Sequence, residues 1–562
     1  MSLSKVDITL ATLFIYIVCN RYFFQSEYSF SIRFLELLGL SFLYVIFRTL
    51  NIKLFYFLLL GIIVSGVFQS IYGNLQLLGY FPSNHSVFIL TGSFFNPGPY
   101  AGFLVSVFPI ALGVYLFREN VISHVKLNIK NKSFLLINTF IEHAVKYISV
   151  IGVISISLVI PATQSRASWL AAILSSIFLL ELRYKTLKKR FNLLSKLKKV
   201  VLAILILLIV GMSLFGVYHL KKGSSDGRLF IWKTSTEIIK DNPFFGVGFD
   251  RFKAHYMNYQ ANYFSKNEEA STALVADNTY YAFNEFMQFT SENGILGFII
   301  LMSILYFITK ILITKENFYL GKLLGISLLS IGVFAFFSYP MEILPIKLVM
   351  CFLLAALAKL DENIIKPLQT FKIKIRAKRT LKILIKGAVL LAIIFSFKYL
   401  NKLNSGFKNW ELALNSYQYG DYERAIQKYK NAYPELRNNG EFLMNYGKAL
   451  SIYKQDKKAV EILERAKIHL NTTIIETALG NAYNSIEHYK EAEIVYKHAA
   501  DMIPSRFYPL YLLAKLYDKS GQKEKAMSMA EIILKKEIKV PSTAITEIKH
   551  EMNNLMIKLN MK

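Results

Sequence analysis

The chain has 562 residues, of which 54% are hydrophobic and 14% aromatic, and it carries a formal net charge of +28. Its apolar residues come in blocks of about 15 to 20, the span of a bilayer, which excludes a soluble enzyme. The charge does not point to nucleic acid: residues 401–562 hold 25 Lys and Arg against 19 Asp and Glu, and most of the excess lies in short loops between apolar blocks.

Taken in order, the apolar blocks predict about eleven transmembrane helices, at 7–20, 34–49, 53–72, 99–118, 147–163, 167–182, 199–219, 294–313, 318–338, 345–359 and 383–400. The first has only Lys5 ahead of it and no small-residue cleavage site, so it reads as an uncleaved span. Eight Lys and Arg without an acid mark Arg183–Lys199, eight more mark Lys366–Lys386, and Arg118–Lys146 is also basic. These three loops are expected on the cytoplasmic side. Gly73–Tyr100 contains no Lys, Arg, Asp or Glu and is expected outside. An inside N-terminus and eleven spans then put the C-terminal part outside. Cys19 and Cys351 lie far apart in or beside apolar blocks and imply neither a disulfide framework nor a zinc site.

Polar markers stand at the outer margin. Thr91–Gly102 enters the fourth span with prolines and glycines that break a helix, tolerated at membrane depth only where backbone is buried or lines a cavity. Arg166, in the short Thr163–Ser168 turn, sits on the side where basic residues are not favoured. A cation at the membrane edge faces an anion by default. Gly227–Gly297 is the one long polar interval among the spans, too long for a connector, and is where a site is expected. It contains Arg228, Asn242–Gly248, an aromatic run over Arg251–Phe264, and Asn284–Gly297. Two guanidinium groups, Arg166 and Arg228, can clamp a diphosphate bidentately. Gly246 and Gly248 offer backbone N–H groups at a tight turn.

Beyond residue 400 the pattern becomes that of soluble helices. Ala425, Ala459, Ala492 and Ala526 recur every 33 or 34 residues, and Gly447, Gly480 and Ala514 repeat in a second register. This predicts about four tetratricopeptide-like units over 405–540, an α-solenoid able to hold a protein partner, followed by a tail at 541–562.

In order along the chain, Thr91–Gly102, Ser165–Ala167, Gly227–Trp232, Asn242–Gly248 and Asn284–Gly297 resemble the O-antigen ligase and O-antigen polymerase superfamily, which includes protein O-oligosaccharyltransferases. The resemblance covers roughly residues 80–360. It implies an all-α polytopic enzyme over 1–400, with a large extracytoplasmic loop at 220–293, in the bacterial inner (cytoplasmic) membrane. It further implies transfer of a glycan from an undecaprenyl-diphosphate carrier to an acceptor hydroxyl on a glycan, a lipid A-core or a protein, without metal, cofactor or nucleotide sugar. Arg166 and Arg228 would contact the diphosphate, with Asn96, Trp232 and Asn284 also on the substrate side. One departure matters. Glu292, Gly294 and Gly297 keep the family spacing, but the position of the family's proposed base, a histidine, is Phe283. Glu285, His255 and Asp277 are the neighbours able to take a proton instead. Ligase, polymerase and protein glycosylase share these motifs, and a lipid-linked glycan transporter or an inactive scaffold are the readings of a different class.

Overall fold

The structure, a computed structural model, describes residues 3–126, 132–202, 204–205, 219, 222–267, 271–313, 319–361 and 375–560, with side chains left out at 132–136 and 375–392. Among the described residues the chain is helical and has no β-strand. The first half comprises α1 (Lys5–Cys19), α2 (Ile32–Thr49), α3 (Ile52–Leu77), α4 (Pro97–Leu116), α5 (Arg118–Val125), α6 (Lys132–Val159), α7 (Arg166–Tyr184) and α8 (Thr186–Leu193). After the polar helices α9 (Lys222–Asp241) and α10 (Phe252–Lys266) come α11 (Glu285–Ile313), α12 (Tyr319–Ala335), α13 (Leu344–Leu360) and α14 (Ile375–Gln418).

Among the described residues six helices are long and apolar enough to cross a membrane: Lys5–Phe24, Ile52–Leu77, Pro97–Leu116, Ile137–Thr163, Arg166–Tyr184 and Glu285–Ile313. Helices also occupy the expected spans at 34–49, 345–359 and 383–400, and Tyr319–Ala335 of the one at 318–338. The expected span at 199–219 lies for the most part outside the described residues.

The bundle is organised around α4. Within its apolar window 94% of residues are buried in the protein, against 22–33% in the other five helices, so its neighbours rather than lipid surround it. An all-round apolar helix suits that place. Asn96 caps it by accepting from the Gly98 N–H at 3.0 Å, and Pro97 and Pro99 fill the first turn, where a missing N–H costs nothing. Small residues set the close approaches: a Cβ on Gly102 would stand 2.4 Å from Phe334 of α12, and one on Gly113 would stand 2.6 Å from Leu323. At the opposite end from the large loop, Asp7 of α1 accepts from Arg48 Nη2 at 2.7 Å and Tyr44 Oη at 2.6 Å of α2.

The 33–34-residue period is a stack of helix pairs. The end of α14 pairs with α15 (Tyr422–Leu436), then α16 (Gly440–Ile452) with α17 (Asp456–His469), α18 (Thr473–Ser485) with α19 (Tyr489–Met502), and α20 (Tyr508–Lys519) with α21 (Lys523–Lys535). A last helix, α22 (Thr543–Asn560), covers the final pair. Ala425, Ala459, Ala492 and Ala526 are all fully buried. Gly447 admits Leu463 and Gly480 admits Tyr496 at distances no Cβ permits. The boundary expected near residue 400 falls inside the single helix α14, which runs straight into the first repeat.

The repeats lie against the polar loop. α10 packs on α19. Gln260 Nε2 donates to the Met502 carbonyl at 2.6 Å, Arg251 Nη2 to the Ile468 carbonyl at 3.3 Å, and Asn471 Nδ2 to Asn258 Oδ1 at 2.6 Å. The segment after α1 joins in, with the Phe30 N–H donating to the Asn438 carbonyl at 2.8 Å.

Candidate active site

A break in α11 shapes the site. At Gly294 the backbone turns to φ 64°, ψ −172°, so the helix carries two segments, one in the loop and one in the bundle. The turn after α9 fills the gap. Val247 N–H donates to the Ser291 carbonyl at 2.9 Å, Gly248 N–H to the Glu292 carbonyl at 2.9 Å, and Ile295 N–H to the Pro243 carbonyl at 2.8 Å. A Cβ on Gly246 would stand 2.4 Å from the Glu292 carbonyl carbon, and one on Gly294 would stand 2.2 Å from the Phe244 oxygen. Asn20, Gln25 and Tyr16 close the joint, donating to the carbonyls of Phe245, Gly246 and Asn293 at 3.0, 3.0 and 2.5 Å. The Asn242–Gly248 and Glu292–Gly297 motifs therefore meet each other. The N–H groups of Gly246 and Gly248 are spent on the Asn242 and Glu292 carbonyls rather than offered to an anion.

On one side of this joint stand the two arginines. Arg166 opens α7 and donates to Ser225 Oγ at 3.0 Å. Arg228, a half-buried residue of α9, lies with its guanidinium 5.4 Å over the Phe283 ring. Burial, and then the like charge of Arg166, hold the Arg228 pKa below arginine's usual value, and Tyr339 acts the other way. Two guanidinium groups near enough to feel each other make a place that an anion would stabilise. Phe283 has φ +52° and packs edge-on against Tyr339, 5.4 Å between centroids. Trp232 Nε1 fixes that turn by donating to the Ala282 carbonyl at 3.0 Å.

On the other side is a buried polar centre around Arg33, at the start of α2. Arg33 Nη1 meets Glu292 at 3.1 Å and Asp250 at 3.4 Å, and its Nε meets Glu342 at 3.2 Å. Gln288 Nε2 bridges Glu292 and Glu342 at 3.4 Å each. Glu342, in the turn between α12 and α13, has its pKa raised by burial against the opposing pull of Arg33. A cavity of ≈ 260 Å³ opens on this centre. The two sides share a wall: Tyr281, which lines the cavity, stacks on Tyr339 at 4.8 Å between centroids.

The expected proton acceptors fall in three places. Glu285 is buried, its Oε1 accepting from the Met341 N–H at 2.8 Å, and belongs to the polar centre. His255, on α10, has a buried Nε2 without a hydrogen-bond partner, and burial followed by Arg251 lowers its pKa to about 4, which weakens it as a base. Asp277 is 70% exposed and pairs with Arg506 of the repeats at 2.8 Å. Of the residues expected near substrate, Asn284 is the N-cap of α11, accepting from the Phe286 and Met287 N–H groups. Asn96 caps α4, whose Gly98 lies within 3.7 Å of the Tyr339 hydroxyl when given a Cβ. Arg33, Asp250, Glu342, Tyr281 and Tyr339 were not read from the sequence. Arg33 carries the signal that singled out Arg166, a cation at the outer margin of a span. Glu342 is the one acid in its turn between two spans.

Among the described residues, no group of three or more His, Cys, Asp or Glu is arranged to hold a metal ion. In comparison with known proteins, residues 151–302 match the O-antigen ligase family and residues 407–467 match the YpiA-like, C-terminal tetratricopeptide repeats. The crystal structure of MamA protein is similar at 19% identity, covering 28% of this chain and 87% of that one with a TM-score of 0.23. The MamA RS-1 ArsTM double mutant is similar at 18% identity, covering 28% and 98% with a TM-score of 0.22. No curated protein matches the chain in sequence. The chain thus carries one segment that matches the O-antigen ligase family and, behind it, one that matches tetratricopeptide repeats.

Proposed function

We propose that this protein is a membrane glycosyltransferase that moves a glycan from an undecaprenyl-diphosphate carrier to an acceptor hydroxyl at the extracytoplasmic face. The observation that carries the reading is the meeting of Arg166 and Arg228 at one place, bordered through Tyr339 and Tyr281 by a cavity lined with carboxylates. In this reading the acceptor oxygen bonds to the anomeric carbon as the carbon–oxygen bond to the diphosphate breaks. The electron pair leaves on the diphosphate, whose charge the two arginines stabilise. The hydroxyl proton passes to a carboxylate of the polar centre. Glu342 is the first choice, because it lines the cavity and burial makes it more basic than an ordinary carboxylate. Glu285 stands behind it. Phe283, where the family carries histidine, serves as the floor under Arg228.

The test is transfer itself. Purified full-length protein in liposomes, given a glycan-loaded undecaprenyl diphosphate and a candidate acceptor, should yield glycosylated acceptor and one free undecaprenyl diphosphate per transfer. Movement of intact lipid-linked glycan across the bilayer without glycosidic bond formation would contradict it and support a transporter.

A further inference from the structure

The cavity on the polar centre is closed by the repeat domain. Its walls from the membrane part and the polar loop include Arg33, Asp250, Glu292 and Glu342, with the rings of Tyr280 and Tyr281. Its remaining wall is Asn439, Gly440 and Glu441 at the start of α16, and His469 and Leu470 at the end of α17. The second repeat is held in that place by contacts on both sides of the opening. Ser29 Oγ lies 3.2 Å from His469 Nδ1, the Phe30 N–H donates to the Asn438 carbonyl, and Arg251 donates to the Ile468 carbonyl. His469 is buried there, and burial followed by the arginines Arg251 and Arg465 lowers its pKa to about 4, so it sits in this wall as a neutral ring at neutral pH.

We infer that the repeat domain completes the acceptor subsite, and that the acceptor it admits is the end of a neutral or amino sugar chain. This rests on the transfer reading above and names the acceptor class for it. Three observations support the assignment. With Glu36 paired to Lys347, the lining still carries Asp250, Glu292, Glu342 and Glu441 against Arg33 and Lys253, an excess of carboxylates that disfavours an acceptor bearing phosphate or carboxylate near its hydroxyl. Carboxylates are the strongest neutral-ligand acceptors of hydrogen bonds, and vicinal hydroxyls present paired donors to them. Tyr280 and Tyr281 add aromatic faces for the apolar side of a ring. The volume is below the roughly 300–1,000 Å³ of pockets for drug-sized ligands, so it admits about one sugar residue. Tyr281 and Tyr339 then stand between that residue and the arginine pair, which is where an attacking hydroxyl must approach.

Glu441 tests this cleanly, because it is exposed at the start of α16 and is not needed to cap it; the cap is Asn439. Full-length protein in nanodiscs is titrated with methyl α-glucoside, methyl α-galactoside, methyl α-mannoside and methyl N-acetyl-β-glucosaminide, with binding read by ligand-detected NMR. At least one glycoside should bind, and Glu441→Gln should weaken it about tenfold and Glu441→Arg further. Undecaprenyl diphosphate binding should be the same in all three proteins. Unchanged glycoside binding in both variants, binding of none of the four, or preference for a serine-containing peptide would overturn the assignment. If undecaprenyl diphosphate fails to bind the wild-type protein, the transfer reading falls by itself, and the glycoside titration still decides whether this cavity is a sugar site.

Discussion

Two side chains of this protein, Arg228 and Glu342, divide the proposed chemistry between them, and each is set by its surroundings. Arg228 keeps its charge half-buried over Phe283 with Arg166 nearby, so a doubly charged leaving group is the natural counter-ion. Glu342 lies in the cavity wall with a raised pKa, caused by burial and only partly offset by Arg33. A carboxylate so placed accepts protons better at neutral pH than one in water. Transfer should therefore rise with pH through a midpoint above 4.5, the ordinary glutamate value, because only the deprotonated form accepts the acceptor's proton. Glu342→Gln should remove that limb and lower kcat by about a hundredfold. Glu285→Gln should have the smaller effect, since Glu342 lines the cavity and Glu285 does not. The reverse ranking in the pH–rate profiles would move the proton acceptor to Glu285. The arginines were legible in the sequence because a cation is out of place on the side of the spans that the loop charges mark as outer. Glu342 was not, because its partners Arg33 and Gln288 come from distant parts of the chain.

At the level of elements, the family-like motifs are explained by one joint. Asn242–Gly248 and Glu292–Gly297 lie about fifty residues apart, and nothing in either stretch names the other. Gly246 and Gly248 read as offering backbone N–H groups at a tight turn, whereas Gly246, Gly248 and Gly294 are points at which the two backbones meet. Gly294 has both a positive φ and a Cβ position 2.2 Å from the Phe244 oxygen. Gly294→Ala should thus cost more than about 3 kcal/mol, adding contact overlap to the strain of the left-handed region. The measurement is thermal unfolding of the purified membrane protein, with Gly332→Ala as the comparison, since no atom lies within 4 Å of a Cβ there. Equal melting temperatures would show that the joint is not a tight contact. The repeat helices were legible for the opposite reason: their small residues pack within one unit or on the next, so a local period records them. How α14 joins the two parts was hidden, because a membrane span and a repeat helix fused end to end keep separate patterns.

Across the whole molecule, the membrane bundle, the polar loop and the repeats all contribute to the proposed site. The bundle supplies Arg33, Arg166 and the Tyr339–Glu342 turn, the loop supplies Arg228, Asp250 and Tyr281, and the second repeat closes the cavity. A sequence reading separates these parts because their compositions differ, and the contacts between them, such as Arg506 with Asp277, leave no local trace. The most direct measurement of the central claim is the affinity of the purified protein for undecaprenyl diphosphate, compared with undecaprenyl monophosphate, in wild type, Arg228→Ala and Arg228→Lys. The account predicts that wild type prefers the diphosphate, that Arg228→Ala loses at least tenfold in affinity, and that Arg228→Lys recovers little of it, because an ammonium lacks the guanidinium fork. Near-wild-type diphosphate affinity in Arg228→Ala would contradict it.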